Sequence, residues 1–297
     1  MAELWIVSLI WAFSFGIIKD SLSSLDASFV AAARLLLSAI VFLPFLRLRG
    51  VPIRLRWRLV LIGAVQFGLM YVSYISAFRY LQAYEVALFT IFTPIYVTLI
   101  NDLIEKRFDL LNLATALLAV LGTGIVEGAN LSQSGVLQGV LLVQISNLCF
   151  AYGQVLYRLL MQGASEVRDT RVFGLLYAGG FAAAGLAAVA FTNWSRVIPN
   201  GNQALALVYL GVVASGLGFY LWNRGARKVR AGALAVFNDL KVPLAVAVSL
   251  LFFGEKADLV RLLVGGGIVL AALAINEYAA PGLRKAITRE QPHGTSF

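Results

Sequence analysis

The chain has 297 residues, of which 60% are Ala, Val, Ile, Leu, Met, Phe, Trp, Tyr or Cys, 13% are charged, and the formal net charge is +9. Soluble domains are about 45–50% apolar and about 25% charged, so this composition, with a mean hydropathy of +0.83, excludes a soluble enzyme. At about 20 residues per helical span, ten spans take about 200 residues and leave short connections with no room for an attached soluble domain.

Apolar runs bounded by charged, Gly, Pro or Asn clusters predict helices near 4–18, 29–46, 59–78, 86–103 and 110–126, then near 136–159, 172–192, 204–222, 233–253 and 259–278. Only Ala2 and Glu3 precede the first run after Met1, and no small-residue cleavage site follows it, so it is expected to be a retained span and not a signal peptide. Counted by alternate loops, one side collects 17 Lys and Arg, from Arg47–Arg58 through Arg224–Arg230 to Arg289, and the other side 5: Lys19, Arg79, Arg196, Lys256 and Arg261. That asymmetry predicts ten spans in a bacterial inner membrane with both termini cytoplasmic, and it assigns the net charge to membrane orientation and not to nucleic acid. The polar, basic tail after Pro281-Gly282 reads as a cytoplasmic end attracted to anionic lipid.

Cys149 is the only cysteine and His293 the only histidine, and the chain carries no G-x-S-x-G, H-E-x-x-H or P-loop. The expectation is therefore no catalytic residue, no metal and no cofactor.

The chain repeats itself. Tyr71 and Tyr220, Pro94 and Pro243, and Asp109 and Asp258 all stand 149 residues apart, while Glu105 and Glu255 match after a one-residue shift. Two five-helix halves follow, 1–131 and 132–280, ahead of a tail at 281–297. Five is odd, so the halves have opposite orientation in the bilayer, the inverted repeat of secondary transporters.

These residues resemble the drug/metabolite transporter superfamily, in particular its ten-helix EamA-type members. The resemblance is carried by Ile10-Trp11-Ala12-Phe13-Ser14-Phe15-Gly16 with Lys19, by Ala33-Arg34-Leu35-Leu36-Leu37, and by the blocks Tyr71 to Pro94 to Glu105 and Tyr220 to Pro243 to Glu255. It implies an all-α integral membrane carrier, proton-linked or facilitative, often an exporter of amino acids or related compounds. It also implies a central cavity lined by the first, third, fourth, sixth, eighth and ninth helices.

The residues themselves nominate the site. Pro94 and Pro243, near the middles of their helices, remove backbone donors, so a matched pair of kinks marks a gating region or shapes the packing. Asn147 and Gln154 lie with Gln144 and Arg158 on one stripe of the sixth segment that cannot comfortably face lipid, and serve either a polar substrate or helix contacts. Trp11 with Phe15, and Tyr71 with Tyr74, form aromatic faces for packing or binding, whereas Tyr96 and Trp222 read as interfacial. Thr93 beside Pro94, and Asn238, Asp239 and Lys241 before Pro243, complete the candidate substrate contacts. Lys241 is the leading charged contact. Arg34, Glu105 and Glu255 are taken as structural charges, Arg34 with a stem long enough to reach the surface. Gly and Ala runs in the seventh and tenth segments are assigned to close packing.

The expected partners are a small-molecule substrate, the lipid bilayer and a coupling proton, in a monomer or weak homodimer. The reading is alternating-access export of a small polar metabolite, such as an amino acid or related carboxylate. The alternative is a cation or drug efflux carrier using Asp239. The absence of a nucleophile–base set counts against an enzyme, and the intramembrane charges and paired prolines count against a receptor.

Overall fold

The computed structural model describes residues 2–104 and 135–275 except 229 and 230, together with 106, 114, 117, 118 and 121; among these the regular structure is helical throughout. Seven helices are long and apolar enough to cross a membrane: α1 Ala2–Leu22, α2 Ala27–Phe45, α3 Ile53–Ala77, α4 Ala83–Ile104, α5 Val136–Gln162, α6 Asp169–Phe191 and α7 Gly201–Ala226. Then follow α8 Ala231–Phe252 and α9 Leu259–Ala274, whose apolar stretches Lys241–Phe252 and Leu259–Ile268 are shorter. The protein is an integral membrane protein. The fifth predicted segment, Glu105 and the tail after Ala280 lie outside the described residues, apart from single positions in that segment.

Helix α1 is longer than its apolar run, 21 residues instead of about 15. Polar residues such as Asp20 and Ser21 end a hydrophobic pattern without ending a helix, and the turn comes only where Asp26 caps α2, accepting from Ser28 N at 2.9 Å. Helix α5 shows how the chain meets lipid. Leu137, Leu141, Ile145 and Leu148 are exposed along one side, while Ser146, Asn147 and Gln154 are buried on the other. With hydrocarbon outside, the polar stripe is the interior one.

Alternate loops gather at two opposite ends, which α1 separates. At the end holding Glu3, Lys228 Nζ lies 2.9 Å from Glu3 Oε1, and the Arg47 N–H donates to Arg171 O at 2.9 Å. At the other end Asp26 meets Arg79 at 3.0 Å, Gln203 Nε2 donates to Ser24 Oγ at 2.8 Å, and Lys19 Nζ donates to the carbonyls of Phe78 and Leu81 at 2.8 and 2.9 Å. Among the described residues, the loops carrying Arg47, Arg171 and Lys228 therefore share one face.

Close helix contact rests on glycine where backbone meets backbone. A Cβ on Gly63 of α3 would overlap the Leu176 backbone of α6, and one on Gly179 of α6 would overlap the Val60 backbone, whereas Gly185 faces open space. Two helices also carry π-helical turns, Ala64–Leu69 within α3 and Tyr209–Leu217 within α7. Shifted by the 149-residue offset of Tyr71 and Tyr220, these stretches overlap.

Two predictions follow from this packing. Gly63→Ala or Gly179→Ala should destabilise the protein by about 1–3 kcal/mol, since a backbone atom cannot rotate away, while Gly185→Ala should be nearly neutral; thermal unfolding in detergent compares the three. For Asp26, burial alone would raise the carboxyl pKa, but the N–H groups of Asn193, Phe29 and Ser28 and the Arg79 guanidinium outweigh burial and hold it below its ordinary 3.8. A lowered folded-state pKa stabilises above about pH 4 and is lost as pH falls through that folded value. Wild-type melting temperature should drop below about pH 4, and Asp26→Asn, less stable at pH 6, should show a smaller drop.

Candidate functional site

Between α1, α2, α3, α4, α5, α7 and α8 lies a cavity of about 70 Å³. Trp11 and Phe15 of α1, Tyr71 and Tyr74 of α3, Thr93 of α4, Asn147 of α5 and Lys241 of α8 all line it. Seven residues nominated from sequence thus converge on one place.

The α4 wall is built around a break. Its first turns, Ala83–Phe89, pass through a 3-10 turn at Thr90–Phe92 before resuming at Thr93. Pro94 has no N–H for the Thr90 carbonyl, and Thr93 Oγ1 donates to that oxygen instead, at 2.7 Å. The neighbouring Phe89 carbonyl accepts from Asn147 Nδ2 at 2.7 Å. Asn147 therefore pins the break to α5. Around Pro243 α8 continues as helix, without the 3-10 turn that precedes Pro94 in α4.

Arg34 does not reach the surface. It is 2% exposed and lines the cavity from α2. Its Nη2 donates to Tyr71 Oη at 2.8 Å and to Ser215 Oγ at 3.1 Å, its Nε donates to Ser215 Oγ at 3.2 Å, and its guanidinium lies 4.3 Å from the Tyr71 ring centre. Nη1 is buried and has no hydrogen-bond partner among the described residues. Ser215 is presented by the π-helical turn of α7, where its Oγ also donates to Leu210 O at 2.7 Å. Tyr177 Oη on α6 donates to the carbonyls of Ser215 and Gly216 at 2.9 and 2.6 Å, satisfying acceptors that the irregular turn exposes.

Lys241, 5% exposed, faces an aromatic wall, its Nζ 5.4 Å from the ring centres of Trp11 and Phe150 and 5.8 Å from that of Trp222. Trp222 is completely buried, not interfacial, and its Nε1 donates to Gln154 Oε1 at 2.9 Å. Gln154 thus supports the wall from behind and is not among the lining residues. Asn238 is buried outside the lining, and the Asp239 side chain lies outside the described residues.

Glu255 performs a task that sequence did not indicate. Its carboxylate accepts from Ala83 N at 2.7 Å and Tyr84 N at 2.9 Å, joining the α8–α9 loop to the start of α4. Glu85 caps the same turn, accepting from Gln82 N at 2.7 Å.

Other lining residues had readable signals. Ser14 falls three residues after Trp11 and one before Phe15, on their face of α1, and Met70 and Phe219 are a repeat pair at the 149-residue offset. Ser146 and Phe150 flank Asn147 at helical spacing, so the inward stripe of α5 is rotated slightly from the predicted one. No Asp or Glu among the described residues lines the cavity. Two cations, six aromatic side chains and several hydroxyl or amide groups face it.

A family model described as "EamA-like transporter family" matches residues 3–127 and again 137–277. A Pseudomonas aeruginosa protein named "Probable biotin transporter" is 41% identical over 93% of this chain and 97% of its own. Biotin transporters of Escherichia coli K12 and Salmonella typhimurium are 38% and 37% identical, each over 95% of this chain and 94% of their own. The expectation of an amino acid finds no support in these names. A solved crystal structure aligns with a TM-score of 0.66 at 20% identity, over 94% of this chain and 97% of that one, a likeness of fold. The chain is a transporter and not an enzyme, and it belongs to the EamA-like transporter family.

Proposed function

We propose that this protein carries biotin across the bacterial inner membrane by alternating access through the cavity. The observation that carries the proposal is the chemistry of the lining: Arg34 and Lys241 stand beside rings and neutral hydrogen-bonding groups. Biotin is an anion at neutral pH with a carboxylate, an aliphatic chain, an apolar sulfur ring and a ureido group that both donates and accepts. The carboxylate suits the cationic side and the ring system suits Trp11, Phe15 and Tyr74. Thr93 and Asn147 offer the ureido group a hydroxyl and an amide. The names of the relatives support the same substrate. An electropositive cavity argues against the cation-efflux alternative.

The architecture proposed is ten helices in two inverted five-helix repeats, 1–131 and 132–280, with the Arg-rich face and both termini cytoplasmic. It is supported by the two stretches matched by the family model, by the overlapping π-helical turns and by the segregated loops. The Glu255 contact with α4 then closes the periplasmic end by holding one half to the other, while Glu3 with Arg224 and Lys228 bridges the halves on the opposite face. The break before Pro94 gives α4 a place to bend as these contacts exchange.

Expression in a strain that neither makes nor imports biotin should restore saturable uptake of labelled biotin, competed by unlabelled biotin and not by amino acids. Amino acid transport without biotin transport would overturn the substrate. For the gate, Glu255→Gln keeps the shape and weakens the charge-assisted bonds. A cysteine at Ser146→Cys, in a Cys149→Ser background, should then react faster with an impermeant reagent from the periplasmic side. Unchanged reactivity would remove Glu255 from gating.

A further inference from the structure

We infer that Arg34, and not Lys241, is the anchor for the substrate carboxylate, and that the π-helical turn of α7 exists to aim it. The inference rests on the biotin reading above and assigns its charged end to one residue.

The two cavity cations are held differently. Lys241 lies against ring faces at 5.4–5.8 Å, an attraction spread over a wall with no preferred direction. Arg34 is held by directed bonds to two hydroxyl groups, Tyr71 Oη and Ser215 Oγ, which lie 2.8 Å from each other. Both are neutral, and Arg34 has no ion pair among the described residues. A guanidinium 2% exposed therefore keeps an unneutralised charge and a nitrogen, Nη1, without a partner. Such a group is costly inside a membrane unless an anion completes it. Its planar fork fits a carboxylate through two parallel N–H bonds, which an ammonium cannot reproduce.

The surroundings fix the fork's direction. In a regular α-helix Ser215 would be tied back four residues; here its Oγ bonds Leu210, five back, within the π-helical turn. Tyr177 holds the carbonyls of that turn. Arg34 and Tyr71 come from the first half of the chain and Ser215 from the second, so a carboxylate on Arg34 sits at the junction that must rearrange during transport.

The purified full chain in nanodiscs tests this by competition between labelled biotin and biotinamide, the uncharged carboxamide. Wild type should prefer biotin by about 10- to 100-fold, the range for a hydrogen bond to a charged group. Arg34→Gln should abolish that preference by weakening biotin alone, while Lys241→Met should weaken both ligands and retain it. Where Arg34→Gln does not purify folded, Arg34→Lys decides: it keeps the charge, removes the fork and should still reduce the preference. An unchanged preference in the folded Arg34 variant, or its loss in Lys241→Met only, overturns the anchor. Failure of wild type to bind either ligand overturns the biotin reading and the anchor with it.

Discussion

The fold depends on one constraint: within hydrocarbon, backbone polar groups and charges must find their partners inside the protein. At several places where the chain leaves regular helix, a named side chain fills the gap. Thr93 and Asn147 serve the carbonyls released before Pro94, and Tyr177 serves those of the α7 turn. Lys19 donates to the carbonyls of Phe78 and Leu81, just past the end of α3, and Glu255 accepts from the first N–H groups of α4. Irregular backbone is therefore concentrated where side chains or a cavity can receive it, and the cavity lies where several irregularities meet.

The interior thus differs from a soluble core. Apolar burial does not distinguish inside from outside here, because lipid is as apolar as leucine. Specificity comes from backbone approach at Gly63 and Gly179 and from polar links such as Trp222 to Gln154 and Arg34 to Ser215. Several of these links cross between the two halves of the chain. The same bonds that hold the bundle in one arrangement are the ones that a transport cycle must exchange.

The two halves share pattern without sharing roles. Tyr71 lines the cavity and bonds Arg34, while its repeat partner Tyr220 does not line it. Pro94 accompanies a break and Pro243 does not. Met70 and Phe219 both face the cavity.

Composition and apolar run length by themselves determined that the chain lives in a membrane as a helical bundle, because the hydrocarbon thickness sets a length that sequence displays directly. Helical spacing also nominated Trp11, Phe15, Tyr71, Tyr74 and Asn147, since a polar or aromatic stripe on a lipid-bathed helix has to turn inward, while Thr93 and Lys241 were nominated by their place beside Pro94 and Pro243; all seven line the cavity. Sequence could not say how far a buried charge reaches. Arg34 read as a structural charge with access to the surface, and Trp222 as an interfacial ring, because both assignments depend on how helices distant in sequence are rotated against one another. Tertiary structure decided that Arg34 meets Ser215, 181 residues away, and that Glu255 meets Ala83, 172 residues away. Such contacts leave no local periodicity, and only the packed bundle reveals them.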